Sequence, residues 1–189
     1  MDLYEAIDKR RTARSFKKQA TEEQLRRIIL AGSKAPSGGN SQPWEFIIID
    51  DPAVIERLGE LKYQISRTFK PMEGQTQADI EAQAMGQWKG FQNASAVAVC
   101  TTKGQSSGGW LAVENMSLAI VAEGLYSNIV TYWGDAKKEA EQLMGLPEGY
   151  ELTCVLKIGE TAAEPVSPKR RPEFSWLHRN RFSPDAAEQ

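Results

Sequence analysis

Residues 9–18, KRRTARSFKK, hold six cations and no acid. Arg10, Arg11 and Arg14 stand close together there, with Thr12 between them. A guanidinium is a planar fork that bonds two oxygens at once, which suits a phosphate. Helical spacing would put Arg10 and Arg14 on one face, provided the first helix reaches that far. Near the other end, residues 169–181, KRRPEFSWLHRNR, hold five cations and one acid. Lys169 and Arg171, two apart in an extended segment, point the same way. The two segments together carry +10, the whole chain −2, and the remainder therefore −12. Either the two ends meet on one anion such as a phosphate monoester, or two basic patches touch a polyanion, or both are solvated faces.

A second segment offers polar groups of another kind. Pro36-Ser37-Gly38-Gly39-Asn40-Ser41-Gln42-Pro43-Trp44 lies between a helix end and a strand start. Its glycines let a backbone approach a ligand and expose amides. Asn40 and Gln42 each offer a donor and an acceptor, which suits the edge of a heterocycle. The plain alternative is an elaborate helix-to-strand turn.

Other chemistries lack their residues. There is no G-x-G-x-x-G and no G-K-[ST], so neither a dinucleotide fingerprint nor a P-loop is indicated. One histidine and two distant cysteines do not make a zinc site. Gly104-Gln-Ser106-Ser-Gly108 fits G-x-S-x-G, and a triad would then need Asp135 and His178. The chain is short for a hydrolase of that type, and too few strands are visible. No nucleic-acid motif accompanies the basic ends, and the −12 remainder opposes a polyanion.

These groups must be held by a domain of ordinary globular composition: 189 residues, 41% hydrophobic and 25% charged. No run suits a membrane span, and the N-terminus lacks an apolar signal core, so a cytoplasmic protein is expected. Cys100 and Cys154 read as buried thiols. Asp2 caps a short helix to about residue 10. Thr21 and Gln24 read as a capping box for a helix ended by Pro36. Residues 44–50 read as a strand, and Asp51-Pro52 opens another helix. Residues 66–93 read as a polar excursion, mobile or partly helical. Residues 94–101 and 150–159 read as strands, 109–130 as a helix apolar nearly all round, and 135–145 as a surface helix. Three prolines then stiffen a tail with Phe174, Trp176 and Phe182. The order fits an α+β, three-layer arrangement with a small central sheet.

At this point the chain resembles the FMN-dependent nitroreductase family. The resemblance rests on Arg10-Arg11-Thr12-x-Arg14-x-Phe16, on Ala35-Pro-Ser-Gly-Gly-Asn-Ser-Gln-Pro-Trp44, on Asn115-Met116-x-Leu118-Ala119 with Glu123-Gly124-Leu125, and on Lys169-x-Arg171 with Trp176-Leu-His-x-Asn-Arg181-Phe182. These occur in order from residue 4 to 182. Tyr126 stands where the family usually has a second glycine.

The resemblance implies one domain over 1–189: a small, mostly antiparallel sheet flanked by helices, a lid-like excursion at 66–93, an extended tail at 163–189, and an intertwined homodimer with two FMN sites at its interface. Arg10, Arg11, Thr12 and Arg14 would hold the FMN phosphate and pyrimidine edge. Pro36, Ser37, Gly38 and Asn40 would come from the partner subunit, with Gln42 close behind. Val130 and Thr131 would run beside the isoalloxazine, and Lys169 and Arg171 would close the phosphate site. The implied activity is ping-pong transfer from NADH or NADPH through flavin N5 to nitroaromatic, quinone or related small-molecule acceptors. No membrane or nucleic-acid partner and no side-chain acid or nucleophile is expected. Trp88 and Phe91 are candidates for a cover over the site. The alternative is a flavin-sequestering protein with little turnover.

Overall fold

The computed structural model describes residues 1–161 and 163–182. Helices begin where the sequence supplies caps. Asp2 accepts the Glu5 N–H at the start of α1 (Leu3–Lys9). A reciprocal Thr21–Gln24 capping box opens α2 (Glu22–Gly32). Asp51 and Pro52 start α3 (Pro52–Ser66). Each arrangement satisfies N–H groups that a helix's first turn leaves without internal partners.

The strands are β1 (Lys18–Gln19), β2 (Trp44–Ile49), β3 (Ser95–Thr102), β4 (Tyr126–Val130) and β5 (Tyr150–Glu160). β5 is the hub, pairing with β3, with β4 and, at its own end, with β1, while β2 lies beyond β3. Every pairing between these strands is antiparallel.

Alternation along the strands builds two cores. Val97, Val99, Cys154, Leu156 and Ile158 pack with Leu25 and Ile28 of α2 and with Val113, Met116 and Ile120 of α5 (Ser106–Ala122). Ala96, Ala98, Cys100 and Val155 face the other way, toward Leu58, Leu61 and Ile65 of α3 and Ala140 of α6 (Gly134–Leu143). The expected three layers, α+β, are therefore present. Burial pushes the Cys100 and Cys154 thiols up to about 12, which leaves both protonated at neutral pH.

One expected element is sharpened and one differs. Most of the 66–93 excursion is α4 (Gln77–Gln92), opened by a Thr76–Asp79 capping box and buried through Ile80, Ala84 and Phe91. It packs closely on α3: a Cβ added at Gly59 would lie 2.6 Å from Trp88. The Trp88 indole donates to Glu56 at 3.0 Å, and Phe91 is buried in the core. Neither covers an open site. The apolar helix expected over 109–130 stops at Ala122, where Gly124 turns the chain with φ +75° and lets β4 begin. No helix among the described residues is long and apolar enough to cross a membrane.

Candidate functional site

The first basic segment is not a helical face. α1 ends at Lys9, and Arg10 is already extended. The chain then runs beside β4: Thr12 bridges Ser127 in parallel, and the Ala13 N–H donates to the Ser127 carbonyl at 3.0 Å. Side chains from 10 to 14 are thereby strung along one strand. The Arg11 guanidinium donates to the Asp8 and Arg10 carbonyls and, at 3.1 Å, to Ser167 Oγ of the tail. The first basic segment therefore meets the tail two residues before the second one begins. A cavity of about 550 Å³ beside this contact is lined by Asp8, Arg11, Tyr126, Glu164 and Ser167, among others. Lys169 and Arg171 are exposed and follow Ser167 by two and four residues.

From Ser127 to Thr131 the β4 direction covers about 13 Å at the usual strand rise. Cations that the sequence reading did not single out stand along this stretch. The Lys62 ammonium donates to the Thr131 carbonyl at 3.3 Å and lies 5.0 Å from the centre of the Trp133 ring. Trp133 in turn stacks on Phe69 at 5.9 Å, both rings half open to solvent. Lys157 pairs across the strands with Asn128 and is fully buried. Its ammonium reaches only neutral oxygens, the Gln87 carbonyl at 3.2 Å and the Gln87 amide oxygen at 3.3 Å. Burial, then Lys62 and Arg14, push the Lys157 amine down to about 7, and burial also lowers Lys62. A signal for Lys157 existed: it is the lone charge in the run Leu152–Ile158.

The donor set selects an anion. Arg26, Arg27, Arg57, Arg67, Lys137 and Lys138 each meet a carboxylate. Among the described residues, no ion pair includes Arg10, Arg11, Arg14, Lys62, Lys157, Lys169 or Arg171. A cation that meets no carboxylate can bind the negative end of a ligand.

The 36–42 loop lies elsewhere in the same chain. Gly38–Asn40 form one 3-10 turn, Asn40 and Gln42 take positive φ (56° and 45°), and the Gln42 N–H donates to Ser37 Oγ at 3.0 Å. Pro36, Gly38, Asn40 and Gln42 are exposed. The Ser41 hydroxyl bonds Gln105 at 2.8 Å, which places this loop at the start of α5. Arg11 and Tyr126 lie past the helix's other end. The 17 residues of α5 separate the two by about 25 Å.

Other candidates disperse. Asp135 is an exposed partner of Lys138, and the His178 ring packs 4.5 Å from that of Phe182. No cluster of three metal-ligating side chains occurs among the described residues. Trp44 is core.

Sheet, helix layers and a cation-lined strand edge define a protein class, and sequence comparison agrees with it. The model of the Nitroreductase family matches residues 7–160, and the chain belongs to that family. It is 28% identical to iodotyrosine deiodinase of Thermotoga neapolitana, over 83% of this chain and 87% of the relative. Its fold matches that of an iodotyrosine deiodinase solved with FMN and 3-iodo-L-tyrosine, at TM-score 0.75 and 24% identity over 96% of this chain and all of the other. It also matches an FMN-dependent nitroreductase from Clostridium difficile R20291, at TM-score 0.72 and 21% identity, over 94% and 98% of the two chains.

Proposed function

We propose that this chain is an FMN-dependent oxidoreductase that works as a homodimer. It takes reducing equivalents from NADH or NADPH and passes them to a nitroaromatic, quinone or related acceptor. The observation that carries this reading is the set of cations beside β4 that join no ion pair among the described residues. Arg10, Arg11, Thr12 and Arg14 would hold the phosphate and the pyrimidine edge of the flavin, and Lys169 and Arg171 of the tail would close the phosphate site. Val130, Thr131, Lys62 and Lys157 would border the ring. When bound, the flavin supplies the hydride chemistry, and the protein supplies position and charge.

The placement of the 36–42 loop supports the dimer. The outer stripe of α5, with Trp110, Leu111 and Leu118, is not covered within one chain, and Leu3, Tyr4, Ile7 and Leu30 are exposed on the helices beside it. A two-fold copy packed antiparallel on this face would carry its own Ser37, Gly38 and Asn40 to the Arg11 end of the first chain. Burying such a face is favourable by roughly 25 cal/mol per Å² of apolar surface.

The test is spectroscopic. The purified protein is expected to be yellow, to elute as a dimer, and to bleach when NADH or NADPH is added without oxygen. Colour without bleaching would favour sequestration. A colourless protein that FMN cannot reconstitute would overturn the reading. The deiodinase relatives add one acceptor class, halogenated phenols, and 3-iodotyrosine belongs in the acceptor panel.

A further inference from the structure

Lys157 is an unusual residue for its position. It sits in the middle of β5, fully buried, with Ala96 of β3 and Asn128 of β4 opposite it across the sheet. α4 covers it with Gln87, Gly90 and Phe91, whose ring centre lies 4.9 Å from the ammonium. The charged groups that face it are Lys62 from α3 and Arg14 from the segment before β1, both positive. None of the ion pairs of the described residues brings a carboxylate to it. Gly90 is part of the arrangement: a Cβ there would lie 2.6 Å from the Arg14 carbonyl oxygen and 2.9 Å from the Lys157 ammonium. The missing side chain at Gly90 leaves the amine its space.

A buried amine among cations holds its proton weakly, and a negative charge arriving nearby tightens that hold. Lys157 stands opposite Asn128 in the middle of β4, one strand position past the Thr12–Ser127 bridge. Its acceptor Gln87 and its neighbour Arg14 line a cavity of about 180 Å³ with Ser66 and Phe69, so the charge of a ring seated there would lie close to it.

We propose that Lys157 takes up a proton from solvent when the flavin ring beside it is reduced and gains negative charge. The inference rests on the FMN reading above. The balance is as follows. NADH or NADPH gives up a hydride, two electrons and one proton, and is oxidised. The ring receives the hydride and becomes an anion. The neutral Lys157 amine binds one further proton from water and becomes an ammonium, so the net charge of the site is unchanged. Lys157 acts as a charge-balancing, positioning residue and forms no bond to substrate. The folded-state value near 7 puts part of the population in the neutral form at the start.

The experiment is the flavin midpoint potential against pH, from 7.5 to 9, on the FMN-loaded wild type, Lys157→Met and Lys157→Arg. Each proton bound per two electrons multiplies the reduction equilibrium tenfold per pH unit, about 29.6 mV. Wild type is expected to fall by about 59 mV per pH unit and both variants by about 30 mV per unit, with Lys157→Arg at the higher potential of the two. A wild-type slope of about 30 mV overturns the proposal without reference to any variant, as does a steep slope that survives in Lys157→Met. If wild type binds no FMN at any pH, the functional reading itself has failed. If it binds and reduces FMN with the shallow slope, only the Lys157 inference has failed.

Discussion

Arg11 and Ser167 are 156 positions apart in the chain, and their side chains meet at 3.1 Å. That contact seats the tail beside the first basic segment, two residues before Lys169.

Removing charge from the first segment should weaken flavin retention. Charge-assisted hydrogen bonds contribute roughly 1.5–3 kcal/mol each. We predict that Arg14→Ala raises the FMN dissociation constant by about 10- to 100-fold, and that Arg10→Ala acts in the same direction. Flavin fluorescence quenching measures it, and unaltered affinity would remove both residues from the site.

The tail should contribute through the same ligand. We predict that the double variant Lys169→Ala, Arg171→Ala loses about tenfold in FMN affinity. The loss should shrink as salt screens exposed charges, over a Debye length of about 10 Å at 0.1 M. A titration at two ionic strengths decides this, and equal affinity of variant and wild type at low salt would place the tail outside the site.

Lys157 also predicts the pH dependence of the flavin-free protein. Its amine falls from 10.5 to about 7 on folding. Between those values the unfolded chain binds more protons, so stability rises with pH across that window. Below about 7 the penalty is present in full, on the order of a few kcal/mol. Relative to Lys157→Met, wild type should therefore be least stable at pH 6 to 7 and should recover toward pH 10. Urea denaturation across that range checks it, and parallel curves for the two proteins would contradict it.

Gly90 should resist a single added methyl. Its Cβ would meet the Arg14 backbone at 2.6 Å, and that contact cannot rotate away. We predict that Gly90→Ala costs about 1–3 kcal/mol despite alanine's better helix propensity, and weakens FMN binding by displacing Arg14. A melting temperature at or above that of wild type would show that the α4 packing is looser than described.

Much of the fold was legible because its punctuation is local. The Thr21–Gln24 box, Asp51-Pro52 and the β-branched runs of β2, β3 and β5 announce themselves within a few residues. α4 was hidden by its composition: QADIEAQAMGQWKGFQ is rich in Ala, Gln and Gly, and its burial depends on α3. β4 was hidden because Tyr126–Val130 follows the apolar run of α5 after only Glu123-Gly124-Leu125. At the site, the arginines were visible from charge and the 36–42 loop from its glycines and amides. Lys62 and Lys157 were not, because each sits on an apolar periodicity where a charge reads as an exception until the three-dimensional neighbours supply a reason.

The account stands most directly on one comparison, the binding of FMN against riboflavin, which differ by the phosphate alone. If the joined ends grip that phosphate, riboflavin should bind wild type at least about 100-fold more weakly, and the gap should close in an Arg10→Ala, Lys169→Ala variant. Equal affinity of wild type for the two flavins would contradict it.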